Sequence, residues 1–282
     1  MKILLSNDDG IRAPGIQAMH RALTDPDGVL GGPMGEAVLT VAPLTVQSAT
    51  SHGVTFHTPL MTTDVQVSPV MSGVAVDGRP ADCVKLALTN IWPERFGAGA
   101  RPDLVISGIN AGANCGINVI YSGTVAAALE AAFLGVPSIA FSLHLGGGKP
   151  DFAKASAQAR RVARLLLEAD GSTGRVFSPH ACLNVNLPLT SESAAEPEII
   201  VCPMNTHGIV DAYEKRLSPS GDPYYWSVSD GLDFRSADAG TDVEALFRRH
   251  ITITPLMYDL TRRDAMGPLA ALLGARAQTS GG

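Results

Sequence analysis

The most conspicuous chemistry in this sequence lies in SNDDG, Ser6 to Gly10, which follows the apolar run Ile3, Leu4 and Leu5. Adjacent carboxylates at Asp8 and Asp9 repel each other. At the rim of a buried sheet one of them would take up a proton unless a cation or a donor compensated it. One divalent cation, Mg²⁺ or Mn²⁺, would remove that repulsion. Two carboxylates with amide and hydroxyl oxygens form a hard-oxygen set suited to it, whereas zinc would favour His or Cys. The plainer alternative is a turn in which an Asp caps the next helix. None of the seven histidines has a zinc-type spacing, and Cys83, Cys115, Cys182 and Cys202 lie far apart with no CxxC pair.

Three further polar stretches could join that pair. SGINAGANCG presents Asn110 and Asn114 among glycines, where the backbone can come close to a ligand, although Asn and Gly are also what turns are made of. YSGTVAAALE places Ser122, Gly123 and Thr124 where a helix begins, so free N–H groups and hydroxyls there favour phosphate as well as ordinary capping. VQSATSHG offers Ser48 and Ser51, which in isolation read as a solvated loop. No GxSxG elbow and no GxxxxGK[ST] loop occurs, which disfavours a serine hydrolase and removes the usual nucleoside triphosphate site.

The elements that must position these residues follow an α/β pattern, short apolar runs alternating with helical ones, as in a parallel sheet covered on both faces. Strands are expected at Ile3–Leu5, Val38–Val41, Val74–Val76, Leu104–Ile106 and Ser138–Phe141. Helices are expected at Pro14–Leu23, at Asp82–Leu88 with Asp82 as its cap, at Thr124–Leu134 and at Ala159–Ala169. Asp25–Glu36 and His144–Pro150 read as loops. CLNVNL and EIIVC look like strands, HITITPL like a hairpin or an arm that pairs with another subunit, and ALLGARAQTSGG like a fraying tail. In such a sheet ligands collect at the carboxyl ends of the strands, where NDDG, the Asn/Gly stretch and the Ser loop can converge.

A chain of 282 residues can bury a sizeable core. Its net charge of -6 and the lack of any Lys/Arg run argue against a nucleic-acid or anionic-membrane partner. No uncharged apolar run approaches the ~20 residues of a membrane span. MKILL is too short for a signal peptide, and unpaired cysteines fit a cytoplasmic setting.

Taken together, MKILLSNDDG with APGI, VAP and the Ser loop, DGRPADCVKLAL, RPDLVISGINAGANCG and IYSGTVAAALEAAFLGVPSIAFS resemble the stationary-phase survival protein family, SurE. The likeness is strong over residues 1–143 and resumes in LNVNLP and AGTDVEALFRRHITITPLMYDLT. It implies a Rossmann-like three-layer core over residues 1–190 with a mostly parallel sheet. It also implies a β-rich extension over 191–282, with a hairpin arm and a terminal helix, exchanged between subunits of a homodimer or homotetramer. The implied activity is a metal-dependent 5'/3'-nucleotidase releasing phosphate from nucleoside monophosphates, some members also acting on polyphosphate. The implied metal ligands are Asp8, Asp9, Ser48 and Asn110, and the implied phosphate site is Ser122, Gly123 and Thr124 with Asn114 nearby. On that reading Asp8 or Asp9 orients or deprotonates a water, or Asp8 attacks phosphorus directly. A non-catalytic nucleotide or phosphate sensor on the same fold is the alternative. Where many relatives carry Asp-Arg-Asn-Arg this chain has LTVQ, Leu44 to Gln47, and Arg79 stands where Thr is commoner.

Overall fold

A computed structural model describes residues 1–146, 149–173, 176–188, 196–206, 212–228 and 237–279. In chain order the elements are β1 (Lys2–Ser6), α1 (Pro14–Thr24), β2 (Ala37–Pro43), β3 (Thr62–Ser68), β4 (Met71–Val76), α2 (Pro80–Leu86), α3 (Trp92–Phe96), β5 (Leu104–Ala111), α4 (Gly123–Phe133), β6 (Ser138–Leu143), α5 (Phe152–Thr173), β7 (Cys182–Leu187), β8 (Ile199–Val201), β9 (Tyr213–Leu217), β10 (Pro223–Ser227), α6 (Asp242–Phe247), β11 (Ile251–Leu256) and α7 (Arg263–Thr279). Nine of these strands form one sheet in the order β3–β4–β2–β1–β5–β6–β7–β11–β8, and β9 and β10 form a separate antiparallel pair. From β4 to β7 every pairing is parallel, while β3 and β11 run antiparallel to β4 and β7.

Alternation along the strands builds two apolar layers. Ile3 and Leu5 pack with Ile16, Met19 and Leu23 of α1 and Ala155, Ala159 and Val162 of α5. Leu4 points the other way and packs with Val41, Val105, Cys83 and Val84 of α2, Trp92 and Ala127 of α4. A strand buried on both faces has no polar side chains to spare, and burying each Leu or Ile stabilises the fold by roughly 1.5–3 kcal/mol.

The five strands expected from sequence fall within β1, β2, β4, β5 and β6. Several other expectations need correction. Asp82 is not the cap of α2: the helix starts at Pro80, and the Asp82 carboxylate reaches back from its first turn to the N–H of Arg79 at 3.0 Å. A proline at the first helical position is suited to that start, since its missing N–H would have no partner there. β5 continues through Asn110, which therefore sits on the strand rather than in the loop after it. The helix read at Ala159–Ala169 begins at Phe152, where the Asp151 carboxylate accepts the N–H of Lys154 at 2.9 Å.

HITITPL is neither hairpin nor arm. It forms β11, seated between β7 and β8 inside the main sheet. Its Ile residues enter the apolar layer, and its buried threonines lie in register with the buried asparagines of β7, Thr252 with Asn186 and Thr254 with Asn184. A polar strand face need not mean solvent: Thr254 donates its hydroxyl to the Cys202 carbonyl at 2.9 Å, and Asn184 and Asn186 spend their amides on Asn114. The hairpin is instead β9–β10, exposed along its length. The tail read as fraying is helical to Thr279, and its last residues, 280–282, lie outside the described residues, as do 147 and 148 of the second loop and the boundary expected at 190/191.

The order β2–β1–β5 reveals the switch point. The chain leaves β1 to one side to make β2 and returns to the other side to make β5, which opens a crevice at their carboxyl ends. Ser6 pairs in register with Ser107, the last pair between the two strands, and β5 runs on past the end of β1 to carry Asn110.

Candidate functional site

Asp8 lies just beyond β1 at the switch point and is 5% exposed. Three contacts hold it. The Thr124 hydroxyl, in the first turn of α4, donates to Asp8 Oδ1. The N–H of Gln47 donates to the Asp8 carbonyl at 2.8 Å, which fastens the loop after β2 to the acidic pair. Gly123 packs against Asp8 so closely that a Cβ there would lie 2.8 Å from Asp8 Cβ. Burial pushes the Asp8 carboxyl up from 3.8 to about 6, with the charge of Asp9 adding to the rise and the Thr124 hydrogen bond opposing it.

Asp9 Oδ2 accepts the N–H of Ala111 at 2.9 Å, the residue after Asn110, so the second carboxylate reaches across to the end of β5. Burial raises its carboxyl too, against that hydrogen bond. The turn between them and the Ser loop is tight: Gly10 has φ +94° and Asn7 Nδ2 donates to the Gly10 carbonyl at 2.9 Å. Asn110 uses its amide nitrogen on the Gly112 carbonyl at 2.8 Å, which turns its amide oxygen to other partners.

The remaining expected residues divide. Ser48 is exposed, and among the described residues its hydroxyl bonds to none of these groups; it is brought to the site by its neighbour Gln47. Ser122 caps α4, its hydroxyl accepting the N–H of Val125 at 3.1 Å, and Thr124 is fully buried against Asp8. Asn114 is 9% exposed and pinned to the sheet. Its amide nitrogen donates to the Ser142 hydroxyl at 2.8 Å, its N–H donates to Asn186, and its carbonyl accepts from both Asn184 and Asn186. Thus Asp8, Asp9, Asn110, Gly123 and Thr124 meet directly or through one backbone bond. Asn114 serves first to hold the β5–α4 connection onto β6 and β7.

The donors fit a hard cation. Two carboxylates are held together under burial that disfavours their charge, with the Thr124 hydroxyl on one and the N–H of Ala111, next to Asn110, on the other. Among the described residues no group of three or more His, Cys, Asp or Glu could hold a metal. The N–H groups opening α4 add positive potential beside the carboxylates.

Sequence reasoning passed over two features here. The first is the pair of backbone donors, Gln47 and Ala111, which leave no mark in side-chain chemistry. The second is Glu130, 4% exposed on α4. A single acidic residue within AAALEAAF was the signal that could have found it. A near-isosteric Thr124→Val is expected to raise the Asp8 carboxyl further, because that hydrogen bond is the foremost influence lowering it. Carboxyl-carbon NMR titration of the metal-free protein reads the change.

Comparison with known proteins bears on this arrangement. The family model described as "Survival protein SurE" matches residues 3–209. The chain is 41% identical over 269 residues to the 5'-nucleotidase SurE of Rhodopirellula baltica, covering 95% of this chain and 97% of that protein. It is 41% identical over 276 residues to 5'-nucleotidase SurE 1 of Thermus thermophilus, covering 97% and 98%. The crystal structure of a SurE protein from Aquifex aeolicus matches it with a TM-score of 0.74 and 33% identity, over 96% of this chain and 99% of that one. With matches of this length and a shared fold, the chain belongs to the SurE family.

Proposed function

We propose that this protein is a divalent-metal-dependent 5'/3'-nucleotidase that hydrolyses nucleoside monophosphates to nucleoside and phosphate. The observation that carries the proposal is the contact between Asp8 and Thr124, which puts the acidic pair of β1 against the N-terminus of a helix suited to phosphate. The names of the relatives, 5'-nucleotidases, agree with it. Asp8, Asp9, Ser48 and Asn110 would hold one Mg²⁺ or Mn²⁺. Such an ion, when bound, polarises a phosphate oxygen and makes a coordinated water more acidic.

The protein's own groups do the rest. The N–H groups at the start of α4 and the Ser122 hydroxyl face the equatorial phosphate oxygens and stabilise charge that grows as the ester bond breaks, while the Thr124 hydroxyl, its proton given to Asp8, holds the acidic pair against that turn. Asp9, the less buried of the pair, takes the proton of the attacking water. The water oxygen bonds to phosphorus, the bond to the ribose oxygen breaks, and that oxygen takes up the proton Asp9 received and leaves as the nucleoside hydroxyl. One Asp8 carboxylate oxygen is engaged by Thr124 and the other would be taken by the cation, which leaves Asp8 a poor nucleophile. Attack by water is therefore the route we favour.

Around this polar centre the rim is apolar. Leu44, Val46, Ile120 and Tyr121 are each about half exposed, and Ile120 and Tyr121 directly precede Ser122. Such a rim suits the flat face of a nucleobase and makes few hydrogen bonds that would select one base over another. We further infer that the segment beyond residue 190 serves assembly as a homodimer or homotetramer. Tyr213, Leu217, Tyr225 and Trp226 of the hairpin are all more than half exposed, a surface that a second copy would cover. No helix among the described residues is long and apolar enough to cross a membrane, and a cytoplasmic enzyme is the reading we adopt.

The test is phosphate release from a panel of 5'- and 3'-nucleoside monophosphates. The protein stripped with EDTA is expected to release none and to recover on adding Mn²⁺ or Mg²⁺. A nucleotide or phosphate sensor would bind members of the panel and turn over none with either metal.

A further inference from the structure

Glu130 sits on the helix that opens the phosphate site, seven residues after Gly123, in a run that is otherwise Ala, Leu, Val and Phe. It is 4% exposed. A carboxylate is not kept in such surroundings without compensation. A hydrogen bond and a cation supply it. His52 Nε2 lies 2.7 Å from Glu130 Oε2, and Lys85 Nζ of α2 lies 3.3 Å from Oε1, close enough to pair in charge though not aligned as a hydrogen bond. Burial alone would raise the Glu130 carboxyl, but the His52 hydrogen bond and the Lys85 charge outweigh it and hold it below the ordinary glutamate value.

His52 belongs to the loop that carries Ser48. Two of its residues other than glycine are in the left-handed region, Ala49 at φ +55° and Ser51 at φ +53°. A loop in that conformation relaxes unless its surroundings over-determine it. Here it is tied at both ends. Gln47 is bonded to the carbonyl of Asp8 on one side of Ser48. On the other side Ser51 donates its N–H to Tyr121 and its hydroxyl to the Ile120 carbonyl, at 3.1 and 2.7 Å, and His52 follows with its bond to Glu130. The last tie is the one made to a buried charge in the middle of α4, so it joins the Ser48 loop to the body of the helix whose first turn faces the phosphate.

We propose that Glu130 is a positioning residue, and that through His52 it fixes the strained 48–52 loop so that the Ser48 hydroxyl is held beside Asp8 and Asp9. This rests on the reading of Ser48 and the two aspartates as metal ligands. The role goes beyond plain stabilisation of the fold, because the bond ties the loop that carries Ser48 to α4. Its mark is on affinity for the metal.

The experiment measures binding of Mn²⁺ alone, by the electron paramagnetic resonance signal of the free ion, with no substrate present. Thermal melting of each metal-free variant is followed in parallel. His52→Ala is expected to weaken Mn²⁺ binding about tenfold, the lower end of what removing a group that orients a ligand costs. Its metal-free melting temperature is expected to fall, because Glu130 loses its hydrogen-bonded partner, so affinity is read at a temperature where the melts show every variant folded. His52→Gln, which places an N–H donor near the position of Nε2, is expected to bind Mn²⁺ within about twofold of the wild type. Adding His52→Ala to Ser48→Ala should weaken binding no further than Ser48→Ala alone, since the two changes act on one contact. Wild-type affinity in His52→Ala, equal weakness in His52→Gln, or additive losses in the double variant would each overturn the proposal. Asp9→Asn separates these outcomes from the underlying assignment of the ligands. If Asp9→Asn leaves Mn²⁺ binding unchanged, the metal-site reading itself falls. If Asp9→Asn abolishes binding while His52→Ala leaves it intact, only the role of Glu130 and His52 is lost.

Discussion

Asp8→Asn is expected to abolish phosphate release and yet to leave the metal-free protein at least as stable as the wild type. The first half follows from the position of Asp8 between Asp9 and Thr124. The amide carries no charge for a cation, and it brings a donor group to the oxygen face that the site uses. A loss on the order of 10³-fold in kcat/KM is expected, about 4 kcal/mol of transition-state stabilisation. The second half follows from the carboxyl having been pushed up from 3.8 to about 6. With its folded value raised above its unfolded one, Asp8 binds a proton more readily in the native state, so stability declines as pH rises from about 4 to 6. At neutral pH the residue costs the metal-free protein about 3 kcal/mol, at about 1.4 kcal/mol for each pH unit of displacement. An amide at this position escapes that cost and can still accept the Thr124 hydroxyl. In EDTA at pH 7 the variant should therefore melt at or above the wild type, and the difference should shrink as the pH is lowered towards 4. Saturating Mn²⁺ should reverse the order, because only the wild type gains the stabilisation that binding confers. A variant that melted well below the wild type in EDTA, or that retained turnover, would remove Asp8 from the centre of the site.

That contrast between function and stability also explains which parts of the site the sequence made visible. Asp8 and Asp9 stood out because two adjacent carboxylates after a buried strand are electrostatically unfavourable, and a feature that costs stability asks for a functional reason. Gly123 and Thr124 stood out because helix starts follow simple capping chemistry, with Ser122 as the cap. The strands around them were legible for a similar local reason: Ile3, Leu4 and Leu5 are apolar on both faces, which only a covered sheet provides.

What stayed hidden depends on partners distant in the chain. Gln47 and Ala111 contribute backbone N–H groups, which every residue but proline possesses, so nothing in their identity marks them. Asn114 looks like a ligand in sequence because its amide is polar and flanked by glycines. The residues that claim it, Ser142, Asn184 and Asn186, lie on two other strands. The same cause underlies the misplacement of HITITPL. Its alternation of Thr and Ile implies one dry face and one wet face, and only the asparagines of β7 reveal that the second face is dry as well. The hairpin β9–β10 carries its exposed aromatics among polar and Pro/Gly-rich residues, a pattern that gives weak strand signals before its pairing is known.

Gly123→Ala is the second variant with a large expected effect, and it isolates geometry from charge. The backbone of Gly123 is that of an ordinary helical first turn, so alanine meets no conformational penalty there and is a better helix former by up to ~1 kcal/mol. The obstacle is the space. A Cβ would stand 2.8 Å from Asp8 Cβ, 3.0 Å from Asp8 Oδ2 and 3.1 Å from Pro80 Cγ. Pro80 is rigid and opens α2, so the strain passes to Asp8 and to the first turn of α4, the two parts that must share one phosphate. A shift approaching 1 Å between groups that act together can cost about 10²-fold in rate, and kcat is expected to fall by that order while the melting temperature moves by only a few degrees. Gly171→Ala supplies the comparison. It lies on α5 with nothing within 4 Å of its added Cβ, and it should retain full turnover and melt slightly higher. Wild-type turnover in Gly123→Ala would mean that Asp8 tolerates displacement from the helix N-terminus. The close approach of α4 to the acidic pair would then be a packing feature of the core and not the source of catalysis.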